Sequence, residues 1–122
     1  MQFTGQYRQV IAVLRETRVN RYTLNTLTAL LDASGVEWIA AGSCDRMLGA
    51  LSGARRHGRR ALALYSFMTP HLVEVRAEAA ALRAGAPGAL LLAGGSHASA
   101  DPEGTLALGF DHVFAGEAEN TF

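Results

Sequence analysis

The sequence predicts an α/β fold in which helices cover both faces of one parallel sheet. Two observations carry this prediction: short apolar runs recur along the chain, and the segments between them carry apolar residues at helical spacing. The runs occupy residues 10–14, 36–41, 61–65, 89–93 and 110–115. Runs without polar alternation are typical of central strands covered on both faces, so we expect five such strands.

The segments between the first four strands each have one apolar helical face. These faces consist of Leu24, Leu27, Leu30 and Leu31 in the first segment, Met47, Leu48 and Leu51 in the second, and Leu72, Val75, Ala79 and Leu82 in the third. A fourth helix is predicted before the last strand, because Asp101 can cap it and Pro102 suits its first turn. Strand and helix therefore alternate along the chain.

Such alternation with short links builds a doubly wound sheet, because right-handed crossovers leave few other topologies. Five strands favour the flavodoxin-like order 2-1-3-4-5. Residues 116–122 are too few for a full helix after the fifth strand. We therefore expect residues 1–122 to be one domain cut from a longer protein, with an uncovered sheet face that offers a surface for a homodimer.

The composition excludes several classes of function. The chain has 11 basic and 11 acidic residues, and this balance argues against nucleic-acid binding, which needs a basic face. No apolar run approaches the roughly 20 residues of a membrane span. All basic residues are Arg, so a P-loop and Schiff-base chemistry, which need Lys, are excluded. A single cysteine, Cys44, excludes an internal disulfide and fits a reducing cytoplasm.

Ligands of doubly wound sheets bind beyond the carboxyl ends of the strands, where the strand order reverses. For the predicted order this place lies between the first and third strands. Residues 16–23, 66–70, 94–100 and 116–120 are therefore the loops in which a site is expected. The first of these loops contains none of the phosphate-binding or phospho-transfer motifs of this fold. Its Arg18 and Arg21 either meet an anionic group or are solvated loop arginines.

The loops after the third and fourth strands contain small and polar residues. Ser66 directly follows a buried strand and is a candidate for ligand contact, whereas Thr69 and Pro70 suit the start of the next helix. Gly94 and Gly95 end the fourth strand, where a missing Cβ lets the backbone approach a ligand or adopt a positive φ. The glycines alternatively make a plain turn. Ser96 and Ser99 add hydroxyls, and His97 is the best-placed histidine.

These residues resemble a known family. The Ser66-Phe67-Met68 turn and the Gly94-Gly95 pair are similar to the Ser-x-Leu and Gly-Gly elements of the cobalamin (vitamin B12)-binding pattern. Residues 93–122 resemble the N-terminal B12-binding domain of cobalamin-dependent radical SAM proteins more specifically. The matching segments are Gly94-Gly95-Ser96-His97, Gly109-Phe110-Asp111 and Gly116-Glu117-Ala118-Glu119.

The resemblance implies that the corrin of cobalamin stacks over the strand ends and that its nucleotide tail passes between the first and third strands. It also implies a radical SAM domain in the same polypeptide, which would bind a [4Fe-4S] cluster and S-adenosylmethionine. This chain would present cobalamin to that domain for methyl transfer or rearrangement. The implied cofactor-binding residues are Arg21, Tyr22, Ser66, Phe67, Met68, Thr69, Gly94, Gly95, Ser96, His97, Ala98, Gly116 and Glu117.

The first loop departs from the family pattern, because it lacks the Asp-x-His-x-x-Gly motif whose His is the lower cobalt ligand. The residues present there, Arg18, Asn20, Arg21 and Tyr22, cannot replace a neutral imidazole. The resemblance then implies cobalamin bound without a protein histidine on cobalt. The alternative is a degenerate domain that has lost cobalamin and serves as an interaction or substrate-gating module.

Other patterns indicate chemistry less specifically. The arginine-rich segment, residues 55–60, suits a solvated helix end better than a nucleic-acid contact, with Gly58 as its cap. The four histidines have no helical ligand spacing, so no zinc site is expected. Glu117 and Glu119 are either acid–base residues or surface carboxylates. A stand-alone enzyme acting on a small phosphorylated substrate remains a third hypothesis, although no nucleophile–base pair supports it.

Overall fold

The computed structural model describes residues 9–18, 20–95 and 100–113 of the chain. In order, their elements are β1 (Val10–Arg15), α1 (Arg21–Ala33), β2 (Glu37–Ala41), α2 (Cys44–Arg56), β3 (Arg60–Ser66), a 3₁₀ turn (Thr69–His71), α3 (Leu72–Gly85), β4 (Leu90–Gly94), α4 (Pro102–Ala107) and β5 (His112–Val113). All strand pairs are parallel and the order is β2-β1-β3-β4-β5. The predicted fold and strand order are therefore confirmed.

The sheet has a core on each face, because successive strand residues point to opposite sides. The larger core lies under α2 and α3, and it includes Val13, Leu51, Leu82 and Leu91. The smaller core lies under α1 and is formed by Ala12, Leu14, Leu24 and Leu64. Helices α1 and α3, which follow β1 and β3, thus cross opposite faces of the sheet.

The expectation that all five strands are covered on both faces is wrong for β2. This strand is the sheet edge, and Ile39 in it is 40% exposed. Its apolar composition predicted a strand correctly but could not show its position. Leu90, at the start of β4, is 44% exposed on the face that carries α1. Apolar surface therefore lies open on that face among the described residues.

The ends of several elements differ from the predicted ones. Asp101 caps α4 as expected, since its side chain accepts a hydrogen bond from the Gly104 amide. In contrast, the α-helix after β3 begins at Leu72, because a 3₁₀ turn occupies Thr69–His71. Phe110, predicted as the first residue of β5, lies before that strand and packs edge-on against Tyr65, with ring centroids 5.7 Å apart.

Candidate functional site

The carboxyl ends of β1 and β3 are neighbours, and the helices that follow them leave toward opposite faces. This is the point at which the strand order reverses, and it opens a crevice where ligands of such sheets bind. The predicted location of the site is therefore present in the fold. The loop after β1 forms one wall of the crevice, and the turn after β3 forms the other.

Asn20 spans this crevice, and we call its hydrogen-bonded arrangement the Asn20 clamp. The side-chain amide donates to the carbonyl oxygen of Arg15 at 2.7 Å and to that of Ser66 at 3.1 Å. Asn20 is only 5% exposed. Its side-chain oxygen accepts from the Thr17 amide at 2.8 Å, while the Thr17 hydroxyl accepts from the Asn20 amide at 3.2 Å. The clamp thus fixes the first loop to the ends of two strands.

Sequence reasoning considered Asn20 only as a residue that cannot ligate cobalt and missed its structural role. A signal was present, because a Thr and an Asn three positions apart can cap each other's backbone amides in the manner of a capping box. The two carbonyl partners of the side-chain amide could not be inferred in this way. One of them, on Ser66, lies 46 positions away along the chain.

A cavity of about 200 Å³ lies beside the clamp, between the sheet and the start of α3. Its lining includes Asn20, Ser66, His71 and Glu78. Ser66 is 7% exposed, so the structure buries the hydroxyl-bearing residue that the sequence placed at the crevice. His71 also lies here, although the sequence gave it no role. The cavity is polar on the side of the clamp and of α3.

Glu78 joins β1, β3 and α3 through one carboxylate. Arg15 binds it through two nitrogens, at 2.8 and 3.0 Å, and the Tyr65 hydroxyl donates to it at 2.7 Å. Burial opposes ionisation of Glu78, but the hydrogen bonds from Arg15 and Tyr65 outweigh it and lower its pKa. Burial, together with the bond to Glu78, raises the pKa of Tyr65. At neutral pH the group is an ion pair with a protonated phenol attached.

Ser66 and Gly95 lie close together at the ends of β3 and β4. Ser66 pairs with Gly94 in the sheet register, and Gly95 follows with a φ of 95°. A Cβ on Gly95 would lie 3.1 Å from the Ser66 hydroxyl oxygen and only 2.7 Å from the Phe67 carbonyl oxygen. The need for glycine at this position therefore has an internal cause, namely the close approach of the chain's own backbone.

The remaining predicted site residues differ in how far their side chains are exposed to solvent. Phe67 is 6% exposed and stacks on Phe110, with centroids 6.3 Å apart, so its ring belongs to the core. Tyr22 and Met68 are 88% and 44% exposed. The Arg21 side chain is largely exposed and lies 3.8 Å from the Glu16 carboxylate. Thr69 begins the 3₁₀ turn. Ser96, His97, Ala98, Gly116 and Glu117 lie outside the described residues.

Three large apolar side chains form what we call the apolar rim of the carboxyl edge: Tyr22, Met68 and Val73. Tyr22 is in the first turn of α1, Met68 follows β3, and Val73 is in the first turn of α3. Val73 is 79% exposed and was not predicted. All three positions follow the carboxyl ends of β1 and β3, the edge beyond which ligands of doubly wound sheets bind.

Over residues 9–18, 20–95 and 100–113, no three His, Cys, Asp or Glu side chains are grouped so as to hold a metal ion. Nor do the helices in those ranges include one with the length and apolarity to cross a bilayer.

One comparison with known proteins identifies a family. The family model described as "B12 binding domain" matches residues 8–122. Among solved structures, the N-terminal domain of a hypothetical protein from Thermotoga maritima is 30% identical. The match covers 84% of this chain and 92% of that one, with a TM-score of 0.49. No curated protein matches the chain.

Proposed function

The chain belongs to the B12-binding domain family, and from that premise we propose that it binds cobalamin at the carboxyl edge of its sheet without a protein histidine on cobalt. We propose further that it presents the corrin to a radical SAM domain of the same polypeptide. The single observation that carries the binding surface is that the Tyr22, Met68 and Val73 side chains are exposed at positions that follow the carboxyl ends of β1 and β3. A flat macrocycle is held largely by apolar contacts, and these side chains supply exposed apolar area at the expected edge.

The residues at this edge fit cobalamin in two respects. The rim offers apolar side chains, of which Tyr22 and Val73 are mostly exposed and available for contact. The turn after β3 and the end of β4 meet closely, so backbone rather than bulky side chains forms the surface between them. When bound, cobalamin would supply a cobalt that carries a methyl group, and this chain would hold it in position.

The absence of a protein ligand to cobalt is proposed from the contents of the first loop. No histidine occurs in residues 16–23. Asn20, which lies in this loop, is fully engaged by the Asn20 clamp. The remaining histidine of the crevice, His71, lies at the start of α3 rather than in that loop. In this proposal the lower coordination position of the cobalt is therefore filled by water, by the cofactor's own base, or by no ligand.

Binding is tested by mixing the purified protein with hydroxocobalamin, desalting it and recording the visible spectrum. Retained corrin absorbance supports the proposal, and it should be lost when the rim is made polar by Tyr22→Ser with Met68→Ser. The lower ligand is tested by electron paramagnetic resonance of bound cob(II)alamin. If nitrogen splitting disappears in His71→Ala or His97→Ala, the histidine-free coordination is wrong although cobalamin binding stands.

A non-binding interaction module is the second candidate, and the Asn20 clamp favours it. The clamp joins the carbonyl oxygens of Arg15 and Ser66, which lie where the nucleotide tail is expected to pass. A colourless protein after desalting would support this reading. The radical SAM partner is tested separately, by whether the same polypeptide carries a Cys-x-x-x-Cys-x-x-Cys motif elsewhere. Its absence would remove the partner and leave the binding test unaffected.

A further inference from the structure

A second cavity, of about 520 Å³, lies at the opposite, amino end of the sheet. It is enclosed by the end of α2, the start of β3 and the turn between α3 and β4. β3 separates it from the apolar rim by roughly 20 Å, given the rise per residue of a strand. The volume falls within the range of small-molecule sites. Nothing placed there can touch a group bound at the carboxyl edge.

Small residues create the space, and we call their surface the alanine floor: Ala61, Ala86 and Ala89, with Leu51 beside them. These residues are 2–7% exposed and belong to the larger core, so the alanine floor is a well-packed surface. Gly88 also lines the cavity. A Cβ there would meet no atom within 4 Å, and its φ is not positive. The cavity therefore has an apolar base and an open side.

The cavity wall carries positive charge that the described residues do not neutralise. Arg59 is engaged, since it donates to the Glu37 carboxylate at 3.0 Å and to the Val10 carbonyl at 3.2 Å. Arg55 and Arg56 are exposed on the last turn of α2, and no ion pair joins either to a carboxylate within residues 9–18, 20–95 and 100–113. The ends of α2 and α3 contribute about one negative charge together, so a positive excess remains.

We propose that this cavity binds a small organic phosphate, whose apolar body rests on the alanine floor while its phosphate faces Arg55 and Arg56. Guanidinium groups match phosphate oxygens in pairs. A phosphate monoester has a second pKa of about 6 and is mostly dianionic at neutral pH. It therefore neutralises the charge of two arginines, whereas a single carboxylate neutralises the charge of one. From the sequence alone, the arginine-rich segment suits a solvated helix end. The fold places its Arg55 and Arg56 beside a cavity.

The experiment compares three probes by isothermal titration calorimetry on the protein: 1-naphthyl phosphate, inorganic phosphate and 1-naphthol. We expect the first to bind at least about tenfold more tightly than either fragment, because both halves of the cavity contribute. Arg55→Ala with Arg56→Ala should weaken it by about tenfold or more. Gly88→Leu, which fills the space without backbone strain, should weaken it similarly. Arg76→Ala removes an exposed arginine elsewhere on α3 and should change nothing.

Several results would overturn the proposal. Equal affinity for all three probes, or unchanged affinity in the double arginine variant, would exclude the site. Tighter binding of a polyglutamate peptide than of 1-naphthyl phosphate would make the surface a protein-docking patch instead. Far-ultraviolet circular dichroism shows whether each variant is folded, and Gly88→Leu tests the cavity even if the arginine variant is not. Cobalamin retention should be the same in all of these variants, so the two proposals fail independently.

Discussion

The side-chain amide of Asn20 donates to the carbonyl oxygen of Ser66 across 3.1 Å and thereby ties the first loop to the end of β3. The same amide holds the last carbonyl of β1. The crevice at the reversal of strand order is therefore braced by one buried side chain.

Replacing Asn20 with Ala should lower the free energy of unfolding by about 2 kcal/mol, because two strand-end carbonyls and the Thr17 amide lose their partner. Urea denaturation measures this change. Asn25→Ala, on the exposed side of α1, is the matched control and should cost less than about 0.5 kcal/mol. Equal effects of the two substitutions would show that the Asn20 clamp contributes nothing to stability.

Alanine substitutions at three glycines distinguish the stability cost of a positive φ from that of steric contact. Gly95→Ala combines a positive φ with a Cβ only 2.7 Å from the Phe67 carbonyl oxygen, and should cost about 3 kcal/mol. Gly58→Ala has a positive φ but open space, and should cost about 1 kcal/mol.

Gly88→Ala has neither constraint and should be nearly neutral. Thermal unfolding of the three variants ranks them. If Gly95→Ala costs no more than Gly58→Ala, the close approach of the Phe67 backbone is not what requires glycine there.

Removing the charge of Glu78 should be costly, since Arg15 would lose its ion pair and one of its two acceptor oxygens in a mostly buried setting. We expect Glu78→Gln to reduce the free energy of unfolding by about 2 kcal/mol, below the range for fully buried pairs. Glu74→Gln, one turn earlier on α3 and exposed, should change it by less than about 0.5 kcal/mol. A comparable loss in both variants would argue against the network.

Acid should weaken the fold through Glu78 and Asp111. The pKa of each is lowered in the folded state, although burial opposes it: Arg15 and Tyr65 donate to Glu78, and Arg83 and the Leu91 amide donate to Asp111. The unfolded chain then binds more protons, so this stabilisation is present above the ordinary pKa values of 4.5 and 3.8 and disappears as pH falls through the folded ones.

Denaturation midpoints measured from pH 7 downward should therefore fall most steeply below about pH 5. Glu78→Gln combined with Asp111→Asn should flatten that fall. Glu74→Gln should leave the acid limb as it is. An unchanged slope in the double variant would mean that other carboxylates govern the acid response.

If the chain binds cobalamin as proposed, the apolar rim contributes to the affinity for cobalamin and not to the stability of the fold. Tyr22→Ala should raise the dissociation constant for hydroxocobalamin by about tenfold, since a large aromatic surface is lost from the binding edge. Its melting temperature should hardly change because the side chain is 88% exposed. Leu106→Ala, also exposed but on α4, should alter neither quantity. A rim variant that melts earlier and binds normally would reverse this assignment.

Much of the fold followed from local pattern. The apolar runs located all five strands to within a few residues, and the helical spacing located the helices between them. The cap of α4 was predicted down to Asp101, because capping depends on residues within one turn. The position of each strand's exposed or covered faces within the sheet was harder to predict from the sequence. The run at residues 36–41 is as apolar as the others, yet β2 is an exposed edge strand.

The candidate site was predicted only in part. The sequence predicted that Ser66 lies next to the Gly94-Gly95 pair, and the sheet register pairs Ser66 with Gly94. It did not identify Asn20, His71, Val73 or Glu78, since none of these stands in a motif. Arg15 and Glu78 are 63 positions apart, and no local signal links them.

The sequence by itself determined the alternation of strand and helix and the strand order, because hydrophobic periodicity is a local property and short right-handed crossovers leave few topologies. Only the tertiary structure decided which polar side chains come together: the Asn20 clamp and the carboxylate shared by Arg15 and Tyr65 on one side of the molecule, and the arginines above the alanine floor at the opposite end of the sheet. Those contacts join residues that approach one another only after the sheet has formed, so their energies depend on three-dimensional distance and burial rather than on sequence spacing.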